Sequence, residues 1–178
     1  PSTTWKHQLM NDKRFRQALS LAINRKDIIT AEYNGLGEPA QAAPGPGSFF
    51  YNADLYHAFT EYDPERANQL LDEIGLTKRD YEGFRTFPDG TKMTFIFSVG
   101  QWTGPDQFVV RDWAKVGVRA VIRTPGGGLF YAQKMGLTLD FSSWGGGDSL
   151  PLLGPSYLVP YDGGCSFAVG YGLWYAAG

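Results

Sequence analysis

The run Trp144-Gly-Gly-Gly-Asp148 puts an indole at one end of three glycines and a carboxylate at the other. An indole offers a large rigid face and one donor, and glycines beside it, Gly146 among them, leave that face open to a flat ligand. The same tryptophan would also serve as core at a strand end. Asp148 suits pairing with a ligand cation or polar group, and equally, with Ser149, ordinary turn chemistry. Gln101 and Trp102 form a second candidate pair, for a cleft or for surface packing. Covalent and metal chemistry find less support. Ser142 and Ser143 lack a Gly-x-Ser-x-Gly elbow and any later histidine. Asp140 and Asp148 could be called paired carboxylates, but nothing fixes their separation, and Asp140 is expected to make a backbone or capping bond. His7 and His57 stand far apart with no cysteine or histidine at ligand spacing. Thr124-Pro-Gly-Gly-Gly128 lacks a following Gly-Lys-Ser/Thr and reads as a plain loop. The residues favour binding, with no cofactor and no metal.

These candidates need strands to hold them. Met93 to Val99 alternates and is rich in β-branched and aromatic residues, which predicts a strand, and Gly104-Pro105-Asp106 starts a helix with Phe108, Val109, Trp113 and Val116 on one face. Gly117 stops that helix and Val118 to Ile122 reads as a second strand, parallel to the first because a crossover helix joins them. A short helix and a third strand ending near Phe141 follow. Ligands in such sheets sit beyond the carboxyl ends of the strands, where both candidate pairs lie.

Upstream, after a polar lead-in, Asn11-Asp12 caps a helix with the stripe Phe15, Ala18, Leu19, Ala22 and Ile23. Asp27 leads a short helix ended by Asn34-Gly35 in a left-handed cap. Leu36 to Asn52 reads as a long ordered loop. Asp63-Pro64-Glu65 starts a helix that buries Ala67, Leu70, Leu71 and Ile74 and closes at Gly75. Phe84 to Thr91 reads as a hairpin through Pro88-Asp89-Gly90. Residues 145–178 show many turn residues and aromatics and predict an irregular tail.

A chain of 178 residues suits a single domain. Its net charge of −2 supplies no basic field, so nucleic acid is not an expected partner. Aromatics at 15%, with 23 glycines and 11 prolines, imply long irregular segments and an aromatic-lined surface. The single cysteine, Cys165, allows no internal disulfide and is expected to be inert. No stretch reaches the ~20 apolar residues of a membrane span. The start without methionine and the uncharged end suggest a piece of a longer protein.

Three blocks resemble the family 5 solute-binding proteins of ABC importers, the dipeptide, oligopeptide and nickel binding group. They are Asp12-Lys-Arg-Phe-Arg-Gln-Ala-Leu-Ser-Leu-Ala-Ile-Asn-Arg25 with Gly35-Leu-Gly-Glu-Pro-Ala40, then Tyr62-Asp-Pro-Glu-Arg-Ala-Asn-Gln-Leu-Leu-Asp-Glu-Ile-Gly75, then Trp113-Ala-Lys-Val-Gly-Val118 running on to Leu139-Asp140-Phe141 and Trp144. The resemblance runs to about Pro160. It implies an α/β chain forming one lobe, the C-terminal one, of a two-lobed periplasmic-binding-protein fold of type II, cluster C, with a mixed sheet flanked by helices.

The implied partners are a peptide or small-molecule ligand, the missing N-terminal lobe, and an ABC permease reached by the full-length protein. The implied location is the periplasm or the outer face of the membrane, with lipid anchoring of the full-length protein as one option. In the family an aspartate of the segment after the cleft tryptophan receives the ligand's amino group, which makes Asp148 the candidate here. The tyrosine and second acid usual in that segment are replaced, so an oligosaccharide stacked on Trp144 and Trp102 stands as the alternative to a peptide, and a hydrolase using Ser142 and Asp148 as a weaker one.

Overall fold

The computed structural model describes residues 2–100, 103–143, 155, 159–165 and 168–178. Its first organising contact is a helix pair. In α2 (Lys13–Leu21) the Asp12 carboxylate accepts the Arg14 backbone N–H at 2.8 Å, and Phe15, Ala18, Leu19 and Leu21 are buried. That face packs on α5 (Pro64–Glu73), which starts at Asp63 and Pro64 and buries Ala67, Leu70 and Leu71. Between them lie α3 (Arg25–Tyr33), closed by Asn34 at φ 53°, an irregular loop over 36–52, and the single turn α4 (Ala53–Tyr56).

The sheet has three parallel strands in the order β2-β1-β3: β1 (Thr94–Ser98), β2 (Arg119–Arg123) and β3 (Phe141–Ser142). Phe97 of β1 stands opposite Ile122 on one side and Phe141 on the other. The mixed sheet expected from the resemblance is parallel in its named strands. Among the described residues antiparallel pairing is confined to the bridges Arg79 to Arg85 and Thr86 to Lys92, the latter closing the expected hairpin with Phe87 N–H donating to the Thr91 carbonyl. The crossover α6 (Gly104–Lys115) joins β1 to β2, and α7 (Gly127–Met135) joins β2 to β3. Gly117 ends α6 at φ 82°, a left-handed conformation that favours glycine.

Aromatic side chains fasten helices to sheet. Phe15 meets Phe95 at 5.7 Å between ring centres, Phe95 meets Phe141 at 5.2 Å, and Trp113 lies 4.9 Å from Phe141 and stacks on Phe97 at 5.6 Å. Asp112, fully buried, accepts the Asn24 backbone N–H together with Arg111 and Lys115, and so anchors α6 to the start of α3.

Two expectations need correction. The polar lead-in is a helix, α1 (Ser2–Asn11), because Leu9 is buried and Trp5 and Met10 pack on the core, while Lys6 pairs with Asp140 at 2.6 Å and the Trp5 indole donates to Asp89. Those partners lie far off in sequence and leave no local trace. The tail expected to be irregular contains α8 (Val169–Ala176). Its glycines read as turn residues, yet at Gly172 a Cβ would fall 2.2 Å from the Asp162 carbonyl oxygen, so a small residue is needed for helix and chain to touch.

Candidate functional site

Where β1 and β2 end, the chain turns away from the sheet twice and leaves a crevice of about 590 Å³. Val99 and Gly100 leave β1 on one side, and Thr124, Pro125 and Gly126 leave β2 on the other. The Val99 N–H donates to the Arg123 carbonyl at 2.9 Å, so the pairing of the two strands continues to the crevice floor. The start of α7 forms the far wall, with Gly127, the nearly buried Phe130 and the half-exposed Tyr131. A Cβ at Gly100, Gly126 or Gly127 would meet nothing within 4 Å, so these glycines hold the walls open. Among the described residues none of the lining side chains is charged. Two aromatics, a proline and a threonine hydroxyl offer contact by shape and apolar surface.

The third strand end is held from both sides. Just before β3 the Asp140 carboxylate accepts the Ile96 N–H of β1 at 2.8 Å and the Lys6 ammonium at 2.6 Å, the backbone bond the sequence suggested with an ion pair added. Just after β3 the Ser143 hydroxyl donates to the Asp106 carboxylate at 3.0 Å, in the first turn of α6. Burial pushes the Asp106 carboxyl above the usual carboxylate range, opposed by the Ser143 hydrogen bond. A folded-state value above the unfolded one means that this group favours the fold while protonated and loses that contribution as pH rises through its raised value. Asp106→Asn, which keeps an acceptor for Ser143, is therefore expected to be at least as stable as the parent at pH 7. Its advantage should shrink as the pH falls toward 4, read as melting temperature across the range; an advantage that grows in acid would contradict this.

Of the residues singled out from the sequence, Gln101, Trp102, Trp144, Gly146 and Asp148 lie outside the described residues. Their chain neighbours do not. Gly100 forms part of the crevice wall, Thr103 precedes α6, and Ser143 is bonded to Asp106. Sequence reasoning missed the wall from Thr124 to Gly127, although the strand-end rule that pointed to Trp144 applies equally there. Phe130 and Tyr131 carried no signal, since two aromatics in a short helix give no hint of the side they face. Among the described residues no three His, Cys, Asp or Glu side chains gather as a metal site, and no helix is long and apolar enough to cross a membrane.

The chain is similar to known proteins over most of its length. The family model for bacterial extracellular solute-binding proteins, family 5 Middle, matches residues 2–166. The dipeptide-binding protein of Escherichia coli is 35% identical over 127 residues, covering 65% of this chain and 20% of that protein. A solved oligopeptide-binding protein OppA superposes with a TM-score of 0.86 at 35% identity, over 95% of this chain and 28% of the other. The oligopeptide-binding protein of Thermotoga maritima, solved with mannohexaose bound, gives 0.57 at 25% identity, over 72% and 26%. The chain thus spans about a fifth to a third of the length of the relatives it matches.

Proposed function

Because the chain belongs to family 5 of the bacterial extracellular solute-binding proteins, we propose that it forms one wall of a ligand cleft in a receptor that delivers a peptide or similar small solute to an ABC importer. The observation that carries the reading is the crevice at the carboxyl ends of β1 and β2, whose described walls carry no charged side chain. The ligand is held, not transformed: a second lobe closes over it, and the membrane permease takes up the closed form. The setting is the periplasm or the outer face of the membrane, with Trp144, Trp102, Gln101 and Gly146 as contact residues and Asp148 as acceptor of a ligand amine. A single wall supplies only part of the contacts and of the enclosure, so the 178-residue chain alone binds weakly.

A second reading, an oligosaccharide ligand, is favoured by the described lining, which combines the Thr124 hydroxyl and Pro125 with the half-exposed Tyr131 and no charged side chain among the described residues. Gly127→Trp tests the crevice, since a Cβ there would meet no atom within 4 Å. Titration calorimetry with di- to nonapeptides and with mannohexaose is expected to show binding weakened about tenfold or more, the equivalent of about 1.4 kcal/mol, with the melting temperature unchanged. Undiminished affinity in the Gly127→Trp protein would place the ligand elsewhere.

A further inference from the structure

The described residues that line the crevice do not contribute alike. Val99 is fully buried and Phe130 is 7% exposed, so these two close the crevice from behind, and three of the others are glycines. The side-chain surface left to a ligand is the exposed Thr124, the half-buried Pro125 and Tyr131, which is 48% exposed. We infer that Tyr131 is a specificity-determining residue of the cleft, selecting peptides with a bulky uncharged side chain, aromatic or branched aliphatic, which seats against the Tyr131 ring and Pro125. This deepens the proposed function and rests on its reading of the strand ends as the ligand site.

Three observations support it. The Tyr131 ring is braced, because the nearly buried Phe130 meets it edge-on, with 5.6 Å between ring centres and 87° between planes. A ring oriented before the ligand arrives costs little further ordering on binding. Charge is the second point. No charged side chain lines the crevice among the described residues, and Arg123, one residue before Thr124, belongs to β2 and is not part of the lining. A lysine or glutamate side chain entering here would give up water for aromatic and proline surface without a counter-charge. Third, there is room. A Cβ at Gly126, Gly127 or Gly128 would meet nothing within 4 Å, and the volume of about 590 Å³ is that of a small-molecule site. A small side chain would leave the surfaces of Tyr131 and Pro125 in water and gain little. A sugar needs a partner for each hydroxyl it buries, and among the described lining side chains only Thr124 and Tyr131 carry one, so an apolar side chain suits this wall better.

Amide chemical-shift titration of the isotope-labelled 178-residue chain detects weak binding and locates it together. The probes are trialanine and its variants with Phe, Leu, Lys or Glu in the middle position. The Phe and Leu peptides are expected to bind about tenfold more tightly than trialanine, as for partial burial of one such side chain, and to shift the amides of Gly100, Thr124, Gly126 and Gly127. The Lys and Glu peptides should bind no better than trialanine. Tyr131→Ala should bring the Phe and Leu peptides down to trialanine and leave trialanine itself as in the parent, whereas Tyr131→Phe, which keeps the ring, should keep the preference. A purely structural role for Tyr131 would instead weaken every peptide together.

Equal affinity for every peptide at the crevice amides, or a preference that survives Tyr131→Ala, would overturn the inference and leave the proposed function standing. So would shifts gathered at Phe49 and Phe50, an exposed aromatic pair outside the crevice, since those would mark adhesion to apolar surface. Should Tyr131→Ala fail to fold, Tyr131→Gln, polar and of closer size, decides in its stead. If no peptide shifts any amide, the peptide reading fails and the inference with it; shifts of the same amides by mannohexaose would then give the crevice to the oligosaccharide.

Discussion

Arg85→Ala is expected to lower the free energy of unfolding by about 3 kcal/mol or more, the cost of leaving the Val116 and Leu76 carbonyls without their donor. The guanidinium is almost completely buried and shares its donors among three elements. Nε donates to the Val116 carbonyl at 2.9 Å at the end of α6, and Nη1 donates to the Leu76 carbonyl and to Asp72 just after and within α5. Nη2 donates to the Asn68 side chain at 2.7 Å. The ion pair itself is the lesser part, because Asp72 is half exposed and a solvent-screened pair contributes about 1 kcal/mol at most. What alanine removes is the donor set for carbonyls at the ends of two helices, and it leaves a void where those helices meet. Urea unfolding of three variants separates the contributions: Asp72→Asn should lose little, Arg85→Lys should recover only part because an ammonium has no planar fork, and Arg85→Ala should lose most. Equal losses in Asp72→Asn and Arg85→Ala would show that the ion pair dominates after all.

Arg85 also marks the limit of what was legible in the sequence. Where a signal is local it was readable: Asp12 and Asp63 as caps, Asn34 and Gly117 as stops, the stripes of α2 and α5, and the alternation of β1 all depend on residues within a turn or two of one another. Arg85 sits in a hairpin between Phe84 and Thr86, and its burial depends on carbonyls at the ends of α5 and α6 that no periodicity announces. The same holds for α1, whose Lys6 and Trp5 find partners at Asp140 and Asp89, and for α8, whose glycines serve close packing against Asp162 rather than a turn.

The site divides in the same way. Its place beyond the strand ends followed from the parallel order of β1 and β2, which the crossover helix implied. Which side chains face the crevice did not follow. Pro125, Gly126 and Gly127 were visible as a glycine-rich loop but not as a wall, and Phe130 became relevant only through the angle at which α7 returns over the sheet. Asp106 looked like a helix-start acid, and its bond to Ser143 joins residues whose proximity depends on the packing of α6 beside β3.

Trp113→Ala is expected to destabilise by about 3–5 kcal/mol, the range for removing a large aromatic from a core. For a chain of this length that is a fall in melting temperature on the order of 10 °C. The indole is nearly buried, stacks on Phe97 of β1 with the ring planes 22° apart, packs on Phe141 of β3, and donates from Nε1 to the Leu19 carbonyl of α2 at 3.0 Å. It therefore joins both strands that lead to the candidate loops to the helix pair behind them. Trp113→Phe keeps most of the packing and gives up the hydrogen bond, so a loss of about 1 kcal/mol is expected, attributable to an unsatisfied Leu19 carbonyl. Phe141 has only two residues of strand to hold it, so removing the indole should loosen the end of β3 along with the core, raising hydrogen exchange at 94–98 and at 143–148 together. Ser143→Ala should leave 94–98 at the parent rate. If Trp113→Ala instead left the end of β3 at the parent rate, the hydrogen bond from Ser143 to Asp106 would suffice to hold that strand end without the aromatic core beneath it.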